Sequence, residues 1–254
     1  MGKIIAIVNQ KGGVGKTTST VNLAASIGYK GFSVLLVDID PQGNATSGLG
    51  VNKRGLTNST YNLLLGQCTA QQSLIHTEFK NVSLLPSNID LAGAEIELVD
   101  SPKRESRLKT ELAAIREQFD YIFIDCPPSL GIITLNGLCA ADTLIVPIQC
   151  EYFALEGLSQ LIATVRQVKR LYNPNLDIEG VLLTMYDSRL NLTVQVVNEI
   201  KKHFPKKIYK TPIPRNVRLS EAPSFGQPVI YYDRTSKGSE AYLAVADELL
   251  AQNA

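Results

Sequence analysis

Glycine and lysine residues dominate a short loop that follows an apolar run at the start of the sequence. The loop reads Gln10-Lys11-Gly12-Gly13-Val14-Gly15-Lys16-Thr17-Thr18. A glycine-rich loop between a buried strand and a helix lets backbone N–H groups point at phosphate oxygens. Lys16 adds a positive charge, and the Thr17 hydroxyl can ligate Mg²⁺. The loop therefore predicts a site for a nucleotide phosphate chain at the N-terminus of the first helix.

Lys11 is the unusual residue of this loop. The common pattern G-x-x-x-x-G-K-[ST] has one lysine, and it has a glycine where Gln10 stands here. Because Lys16 alone can neutralise the phosphates of one nucleotide within one chain, a second lysine needs its own explanation. A solvated loop lysine is the simple alternative.

Two further apolar runs end in carboxylates. Asp38 and Asp40 follow the run at 34–37, and Asp125 follows the run at 121–124. Two residues that lie two positions apart in an extended chain project to the same side. Beside a nucleotide, one carboxylate can hold Mg²⁺ and another can orient the attacking water, because phosphoryl transfer depends mainly on positioning. Aspartates that only cap turns at strand ends are the alternative.

Short β-branched runs alternate with longer helical patterns, which favours a mostly parallel, twisted α/β sheet with helices on both faces. The predicted strands are 3–8, 33–38, 82–86, 120–125, 143–148, 178–184 and 207–211. The predicted helices are 16–30, 104–118, 154–172, 191–204 and 238–252. Right-handed crossovers place the carboxyl ends of the strands, and with them the ligand, along one edge. We expect a single domain over residues 1–254, because no linker or repeat interrupts the pattern.

Composition limits the possible functions. The chain has 254 residues, of which 44% are hydrophobic, and this is enough for one substantial core. Its net charge is +1, so binding to nucleic acid must depend on a local basic patch. The four cysteines form no C-x-x-C pair, which argues against a disulfide framework or a zinc site. Since no apolar run approaches the ~20 residues of a membrane span, we expect a cytoplasmic protein.

The motifs together resemble the deviant-Walker-A ATPases of the ParA/MinD superfamily, whose loop signature is K-G-G-V-G-K-T-T. Four further strings resemble its chromosome-partitioning branch, the ParA/Soj proteins. They are D-I-D-P-Q-G-N at 38–44, D-C-P-P-S-L-G at 125–131, Q-C-E-Y-F-A-L-E-G-L at 149–158 and P-R-N-V-R-L-S-E-A-P-S at 214–224. The resemblance implies a P-loop fold that hydrolyses ATP to ADP and phosphate, with ATP and Mg²⁺ as cofactors.

The resemblance also implies a role for each lysine of the loop. Residues 11–18 would surround the phosphates, with Lys16 binding the nucleotide of its own chain. Two ATP-bound copies would pack face to face, and Lys11 would reach the phosphates of the partner copy. This arrangement implies a homodimer that forms with ATP.

The remaining site residues follow from the same resemblance. Thr17 and Asp125 would hold Mg²⁺, Asp38 would lie near the metal, and Asp40 would organise the attacking water. The adenine would lie between two loops late in the chain. Its implied contacts are Met185, Pro212, Pro214, Arg215 and Asn216.

Basic residues late in the chain are candidates for binding DNA. The resemblance implies that ATP dimers bind duplex DNA without sequence preference, through Arg189, Arg218, Lys201 and Lys202. Contacts of this kind read phosphates, so binding should weaken steeply with salt. For the two lysines, an equally simple interpretation is that they complement the dipole at the end of the predicted helix 191–204.

Partners and location also follow from the resemblance. The chain resembles the short ParA type, which lacks its own operator-reading domain. Recognition of specific DNA would therefore fall to a ParB-type centromere-binding protein, which stimulates hydrolysis with a basic N-terminal segment. The implied location is the cytoplasm, on the nucleoid.

Three other functions are possible within the superfamily. A membrane-targeted division-site regulator of the MinD type needs a basic amphipathic C-terminal helix, and residues 246–254 contain no Lys or Arg. A metal-cluster protein resembling the nitrogenase iron protein could use Cys126 and Cys139, although small buried cysteines are the simpler interpretation. A tyrosine kinase would need a tyrosine-rich tail.

Overall fold

The computed structural model describes residues 2–151 and 154–253. The strands are β1 (Lys3–Ile7), β2 (Val34–Asp38), β3 (Ile75–His76), β4 (Val82–Leu85), β5 (Tyr121–Asp125), β6 (Thr143–Gln149) and β7 (Asp177–Thr184). The longer α-helices are α1 (Lys16–Tyr29), α6 (Arg107–Ile115), α7 (Ile132–Ala140), α8 (Ala154–Leu171), α9 (Asn191–His203) and α12 (Lys237–Gln252). The shorter ones are α2 (Asn44–Gly48), α3 (Thr60–Leu64), α4 (Ala70–Ser73), α5 (Ala94–Glu97), α10 (Val217–Glu221) and α11 (Val229–Tyr232). Turns of 3₁₀-helix cover Lys53–Gly55, Ile89–Gly93, Arg104–Ser106, Arg116–Gln118 and Ala222–Phe225.

The described strands form one sheet in the order β3-β4-β2-β5-β1-β6-β7. Neighbouring strands are parallel, except that β3 runs antiparallel to β4. All residues of β2 and β5 are buried, as expected for central strands that have helices on both faces. The mostly parallel α/β sheet predicted from the sequence is therefore confirmed.

Side chains that alternate along β2 pack into two separate cores. Leu35 and Val37 belong to an apolar cluster that includes residues of α6 to α9. Val34 and Leu36 belong to a second cluster, which includes residues of α1 and α12. Because successive strand residues point to opposite faces, the apolar run of β2 supplies both cores. The site lies at the edge where β1, β2 and β5 end.

Two predicted elements differ from the structure. Residues 207–211 do not form a strand, because Ile208 makes only an isolated bridge with Val181. The amides of Lys210 and Thr211 donate instead to the Glu248 carboxylate of α12, at 2.7 and 2.9 Å. The predicted helix 104–118 is divided into the 3₁₀ turn Arg104–Ser106, α6 and the 3₁₀ turn Arg116–Gln118. The short edge strand β3 was not predicted.

Candidate functional site

The glycine-rich loop connects the end of β1 to the start of α1. Gly13 and Gly15 have φ angles of 75° and 86°, in the left-handed region that favours glycine. α1 begins at Lys16, and no side chain caps its first turn. Its first N–H groups are therefore available to oxygen atoms of a bound anion.

A cavity of about 600 Å³ opens over this loop, a volume suited to a small-molecule ligand. The loop contributes Gly12, Gly13, Gly15, Lys16, Thr17 and Thr18 to its lining. Asp40 and Pro128 extend the lining on the side of β2 and β5. The structure thus brings six of the eight predicted phosphate-binding residues to one cavity, with Asp40 beside them. Lys11 does not line the cavity, and neither does Val14, whose side chain is buried.

Lys16 is held at the base of the loop. Its side chain is buried, and Nζ donates to the Lys11 carbonyl at 3.0 Å. Burial lowers the pKa of Lys16, and the nearby charge of Asp125 opposes that effect. Phosphate oxygens would add negative charge next to Nζ and so favour the charged amine. The buried lysine is therefore suited to an anionic ligand.

Asp125 and two threonines form a hydrogen-bonded group below the cavity. The hydroxyls of Thr17 and Thr20 donate to opposite oxygens of Asp125, each at 2.8 Å. Burial and then the charge of Asp38 raise the pKa of Asp125, while the threonine hydrogen bonds oppose the rise. A divalent cation beside Thr17 would relieve this repulsion between buried carboxylates. The donor set therefore fits Mg²⁺, which prefers oxygen ligands.

Asp38 lies deeper than Asp40 and already has hydrogen-bond partners. Its oxygens accept from the amide and hydroxyl of Thr46, each at 2.8 Å, and from the amide of Asp40 at 3.1 Å. Burial raises the pKa of Asp38. The arrangement gives Asp38 a direct part in holding the turn after β2. Its position near the metal stays a prediction.

Asp40 presents a carboxylate to the cavity. One oxygen accepts from the Gln42 amide at 2.9 Å, and the backbone carbonyl of Asp40 accepts from the Ser87 hydroxyl at 2.8 Å. Within residues 2–151 and 154–253, the second carboxylate oxygen accepts no side-chain or backbone hydrogen bond. That oxygen is available to a water molecule in the cavity.

The Lys11 side chain does not line the cavity, unlike most residues of its loop. Its Nζ forms an ion pair with Glu151, and both side chains are partly exposed, by 35% and 48%. The amide of Lys11 donates to the Asn9 side chain at 3.0 Å. The backbone of Lys11 therefore belongs to the loop, whereas its charge lies on the surface.

The far end of the cavity is formed by the loops that follow β7 and precede α10. Four of the predicted adenine contacts line it, namely Met185, Pro214, Arg215 and Asn216. Ile213, rather than the predicted Pro212, lines the cavity between them. Ile213 is held there because its amide donates to the Leu183 carbonyl and its carbonyl accepts from Tyr186. These roles in binding the base stay predictions.

Several residues that line the cavity were missed by the sequence analysis. They are Gln42, Asn44, Pro128, Leu219, Ser220, Pro223 and Tyr242. Most of them lie within the sequence motifs at 38–44, 125–131 and 214–224 that resemble the ParA/Soj proteins, and these motifs could have indicated them. Tyr242 had no such signal, because it reaches the site only where α12 packs against α1 and its hydroxyl lies 3.0 Å from the Ser19 hydroxyl.

Thr184 joins the two ends of the site. Its buried hydroxyl donates to the Val14 carbonyl of the phosphate loop at 2.8 Å. This bond fixes the peptide that precedes Gly15, whose own φ is 86°. Thr184 therefore positions the loop through a single hydrogen bond from the end of β7.

We expect Thr184→Val to weaken ATP binding by about tenfold, because the buried Val14 carbonyl loses its donor. Titration with a fluorescent ATP analogue measures the effect. Thr184→Ser is the matched control and should keep near-normal affinity, because it retains the hydroxyl. Normal affinity in Thr184→Val would contradict the positioning role of this residue.

The predicted DNA-binding cations lie on the surface, and three of them form ion pairs. Arg189 is 86% exposed and pairs with Asp187 at 2.7 Å. Arg218 pairs with Glu221 and Asp233, and Lys202 pairs with Glu199. Lys201 and Lys202 lie near the C-terminal end of α9, so the helix-dipole interpretation also fits their position.

The buried cysteines bear on the metal-cluster alternative, and the length and apolar character of the helices bear on a membrane span. Cys126 and Cys139 are buried, and burial raises the pKa of both thiols. Among the described residues, no helix combines the length and apolar character that crossing a bilayer requires.

The first strand of this mostly parallel sheet leads into a glycine-rich loop that contains lysine, and two neighbouring strands end in carboxylates. These features together define a P-loop nucleotide-binding protein. A family model described as an AAA domain matches residues 2–178. The chain is 58% identical over 251 residues to the sporulation initiation inhibitor protein Soj of Bacillus subtilis, with 99% of each chain covered. It is 53% identical over 253 residues to the chromosome partitioning protein ParA of Myxococcus xanthus, with 100% of this chain and 89% of that protein covered.

One solved structure is similar to this chain over nearly its whole length. It is cobyrinic acid a,c-diamide synthase from Mycobacterium smegmatis with a bound ATP analog and magnesium, at 40% identity and a TM-score of 0.87. The alignment covers 99% of this chain and 96% of that chain. The chain belongs to the ParA/Soj family of chromosome-partitioning ATPases. The resemblance inferred from the sequence motifs is thereby confirmed.

Proposed function

We propose that this chain is an ATP-switched DNA-partitioning protein. Two copies join when both bind ATP and Mg²⁺, and the dimer binds duplex DNA without sequence preference. A ParB-type protein stimulates hydrolysis, which separates the copies and releases the DNA. The observation that carries the proposal is the partly exposed position of the Lys11 side chain, on a loop of which six other residues line the nucleotide cavity.

Lys11 is free to exchange its partner. An ion pair between two partly exposed groups, such as Lys11 with Glu151, contributes about 0–1 kcal/mol. The phosphate chain of a nucleotide carries several negative charges and offers stronger, charge-assisted hydrogen bonds. Lys11 would therefore leave Glu151 for the phosphates of a facing copy, so that ATP itself forms part of the dimer interface.

The carboxylates give the same site its chemistry. Thr17 and Asp125 supply oxygen ligands for Mg²⁺, which would neutralise charge on the phosphates as they separate. Asp40 would orient the attacking water with its unpartnered oxygen. Lys16 acts on the nucleotide of its own chain, because its Nζ lies at the base of the same loop.

Arg189, Arg218, Lys201 and Lys202 would bind the DNA backbone. Their surface ion pairs are weak enough to open when phosphates compete for the same cations. The chain has a net charge of only +1, so one copy offers DNA only the local patch formed by these four cations. A dimer would present two such patches to the same duplex. This would couple DNA binding to ATP-dependent dimerisation.

We expect Arg189→Glu to abolish retention on DNA without changing ATP affinity. The substitution replaces an exposed cation by an anion, which repels phosphates. A mobility-shift assay with ATP measures retention. Arg170→Glu is the matched control, because it changes the net charge by the same amount at an exposed residue that is not among the predicted DNA-binding residues. This variant should still be retained on DNA. Normal retention of Arg189→Glu on DNA would show that Arg189 is not part of the DNA-binding surface.

The function is tested by DNA binding of the purified protein with ATP, with ADP and without nucleotide, over a series of salt concentrations. We expect binding only with ATP, steep weakening with salt and equal affinity for unrelated duplexes. Equal binding in all three nucleotide states would contradict the proposal. Retention on anionic lipid vesicles in place of DNA would favour the MinD-type function.

The family relationship also supports proposals on partner and location. A ParB-type protein would supply centromere recognition, and association with the nucleoid would follow from non-specific DNA binding. We propose one ATPase domain over residues 1–254.

A further inference from the structure

The segment from Ile89 to Asp100 has an apolar face toward the core and a second one toward solvent. The segment contains the 3₁₀ turn Ile89–Gly93 and α5. Leu91, Ala94 and Leu98 are fully buried and pack into the core. A surface helix normally has polar residues on its opposite face, so the outward face of this segment needs an explanation.

The outward face consists of Ile89, Ala92, Ile96 and Val99, which we call the outward stripe. Ile89 is 65% exposed, Ile96 is 78% exposed and Val99 is 53% exposed. Residues three or four positions apart lie on one face of a 3₁₀- or α-helix. Branched apolar side chains that follow each other in this way are typical of a surface that another protein covers.

Acidic residues flank the outward stripe. Residues 89–100 include Asp90, Glu95, Glu97 and Asp100, and they include no Lys or Arg. Arg104, which donates to the Val99 carbonyl, is the only cation bonded to this segment within the described part of the chain. The carboxylates of Glu95, Glu97 and Asp100 around Ile96 and Val99 would repel those of a second copy, whereas a basic amphipathic helix would match both the apolar residues and the charge there.

The residues just before the segment contact the turn that carries Asp40. Ser87 lies just before the segment, and its hydroxyl donates to the Asp40 carbonyl at 2.8 Å. Ile89 and Asp90 line a second cavity, of about 470 Å³, together with Gln42 and the cations Lys53 and Arg54. Gln42 also lines the nucleotide cavity. A partner on the outward stripe would therefore bind next to the residue expected to orient water.

The C-terminal half of the segment contacts the turn that follows β5. A Glu95 oxygen accepts from the Ile132 amide at 3.2 Å, where α7 begins. A Cβ added to Gly131 would lie 2.3 Å from another atom of the Glu95 carboxylate, so the two segments are in close contact. Pro128, in the same turn, lines the nucleotide cavity. The segment thus touches the turn after β5 directly, and Ser87 just before it touches the turn after β2.

We propose that the outward stripe is the docking surface for a basic amphipathic helix of the protein that stimulates hydrolysis. The inference rests on the proposed function, in which a ParB-type partner acts through a basic segment. Apolar side chains of the partner helix cover Ile96 and Val99, and its cations pair with the flanking carboxylates. Binding there presses on the contacts to Asp40 and Gly131 and so adjusts the turns beside the nucleotide.

The test uses the full chain, a fluorescently labelled ParB-type protein from the same organism, and duplex DNA. The variants are Ile96→Ser with Val99→Ser, and separately Asp100→Lys. Leu171→Ser is the matched control, because Leu171 is also about half exposed (52%) but lies at the end of α8. Partner affinity, stimulated turnover, basal turnover and ATP-dependent DNA binding are measured for each.

We expect the double variant to bind the partner at least about tenfold more weakly, as at a binding hot spot. Its stimulated turnover should fall to the basal rate, while basal turnover and DNA binding stay normal. Asp100→Lys should weaken partner binding most at low salt, and Leu171→Ser should behave as wild type. Normal partner affinity in the double variant would overturn the inference, as would a wild-type chain that does not bind this partner. Loss of ATP-dependent DNA binding in the wild type would instead refute the proposed function.

Discussion

Asp40→Ala should abolish ATP turnover while ATP binding and ATP-dependent dimers remain. The carboxylate of Asp40 lines the nucleotide cavity, and one of its oxygens is held by the Gln42 amide. The other oxygen is placed to orient water, and losing such a group costs about 10²–10⁴-fold in rate. Phosphate contacts at Lys16 and the loop amides do not involve Asp40, so nucleotide affinity should change little.

Asp40→Asn distinguishes the catalytic role of Asp40 from its role in holding the turn after β2. The amide oxygen of asparagine can still accept from the Gln42 amide, but it cannot take up a proton from water. We expect Asp40→Asn to fold normally, dimerise with ATP and remain inactive. Phosphate release and sedimentation velocity with ATP measure the two properties. Unchanged turnover in Asp40→Ala would contradict a role for Asp40 in ATP hydrolysis.

The second large effect is expected at Lys11. Lys11→Ala should block ATP-dependent dimerisation and lower partner-stimulated turnover by about 10³–10⁵-fold, the range of a cation supplied by a facing subunit. Nucleotide should still bind the monomer, because the Lys11 carbonyl that accepts from Lys16 is retained. Sedimentation velocity and titration with a fluorescent nucleotide measure these properties.

Lys30→Ala is the matched control for Lys11→Ala. Lys30 is also partly exposed and pairs with an acidic residue, Asp247, but it lies at the opposite end of α1 from the loop. Its loss should leave dimerisation intact. A Lys11→Ala protein that still dimerises with ATP would contradict the role of this lysine in a facing site.

The central sheet could be predicted because its strands carry their own signals. Apart from Lys3, Asp38 and Asp125 at their ends, β1, β2 and β5 consist of apolar and aromatic residues, as expected of strands buried on both faces, and each leads into the loop or carboxylates that form the site. Parallel strands then bring these groups to one edge. The grouping of Lys16, Thr17 and Asp125 therefore follows from local patterns and the rules of sheet topology.

Other features depend on distant contacts that no local pattern reveals. Residues 207–211 look like a strand, yet Glu248 on α12 captures two of the backbone amides that a further ladder would need. Tyr242 lines the cavity only because α12 packs against α1. The ion pair of Lys11 with Glu151 joins residues that are 140 positions apart, so the partly exposed position of Lys11 was not visible in its loop motif.

Mixing two inactive variants tests the shared ATP site most directly. Lys11→Ala retains Asp40, and Asp40→Ala retains Lys11, so a mixed dimer would contain one complete site only if Lys11 acts on the nucleotide of the facing copy. Turnover is measured for each variant alone and for an equal mixture, with DNA and the ParB-type partner present. We predict that each variant is inactive alone and that the mixture recovers a substantial part of the wild-type rate. A mixture as inactive as its components would contradict the claim that Lys11 completes the site of another copy.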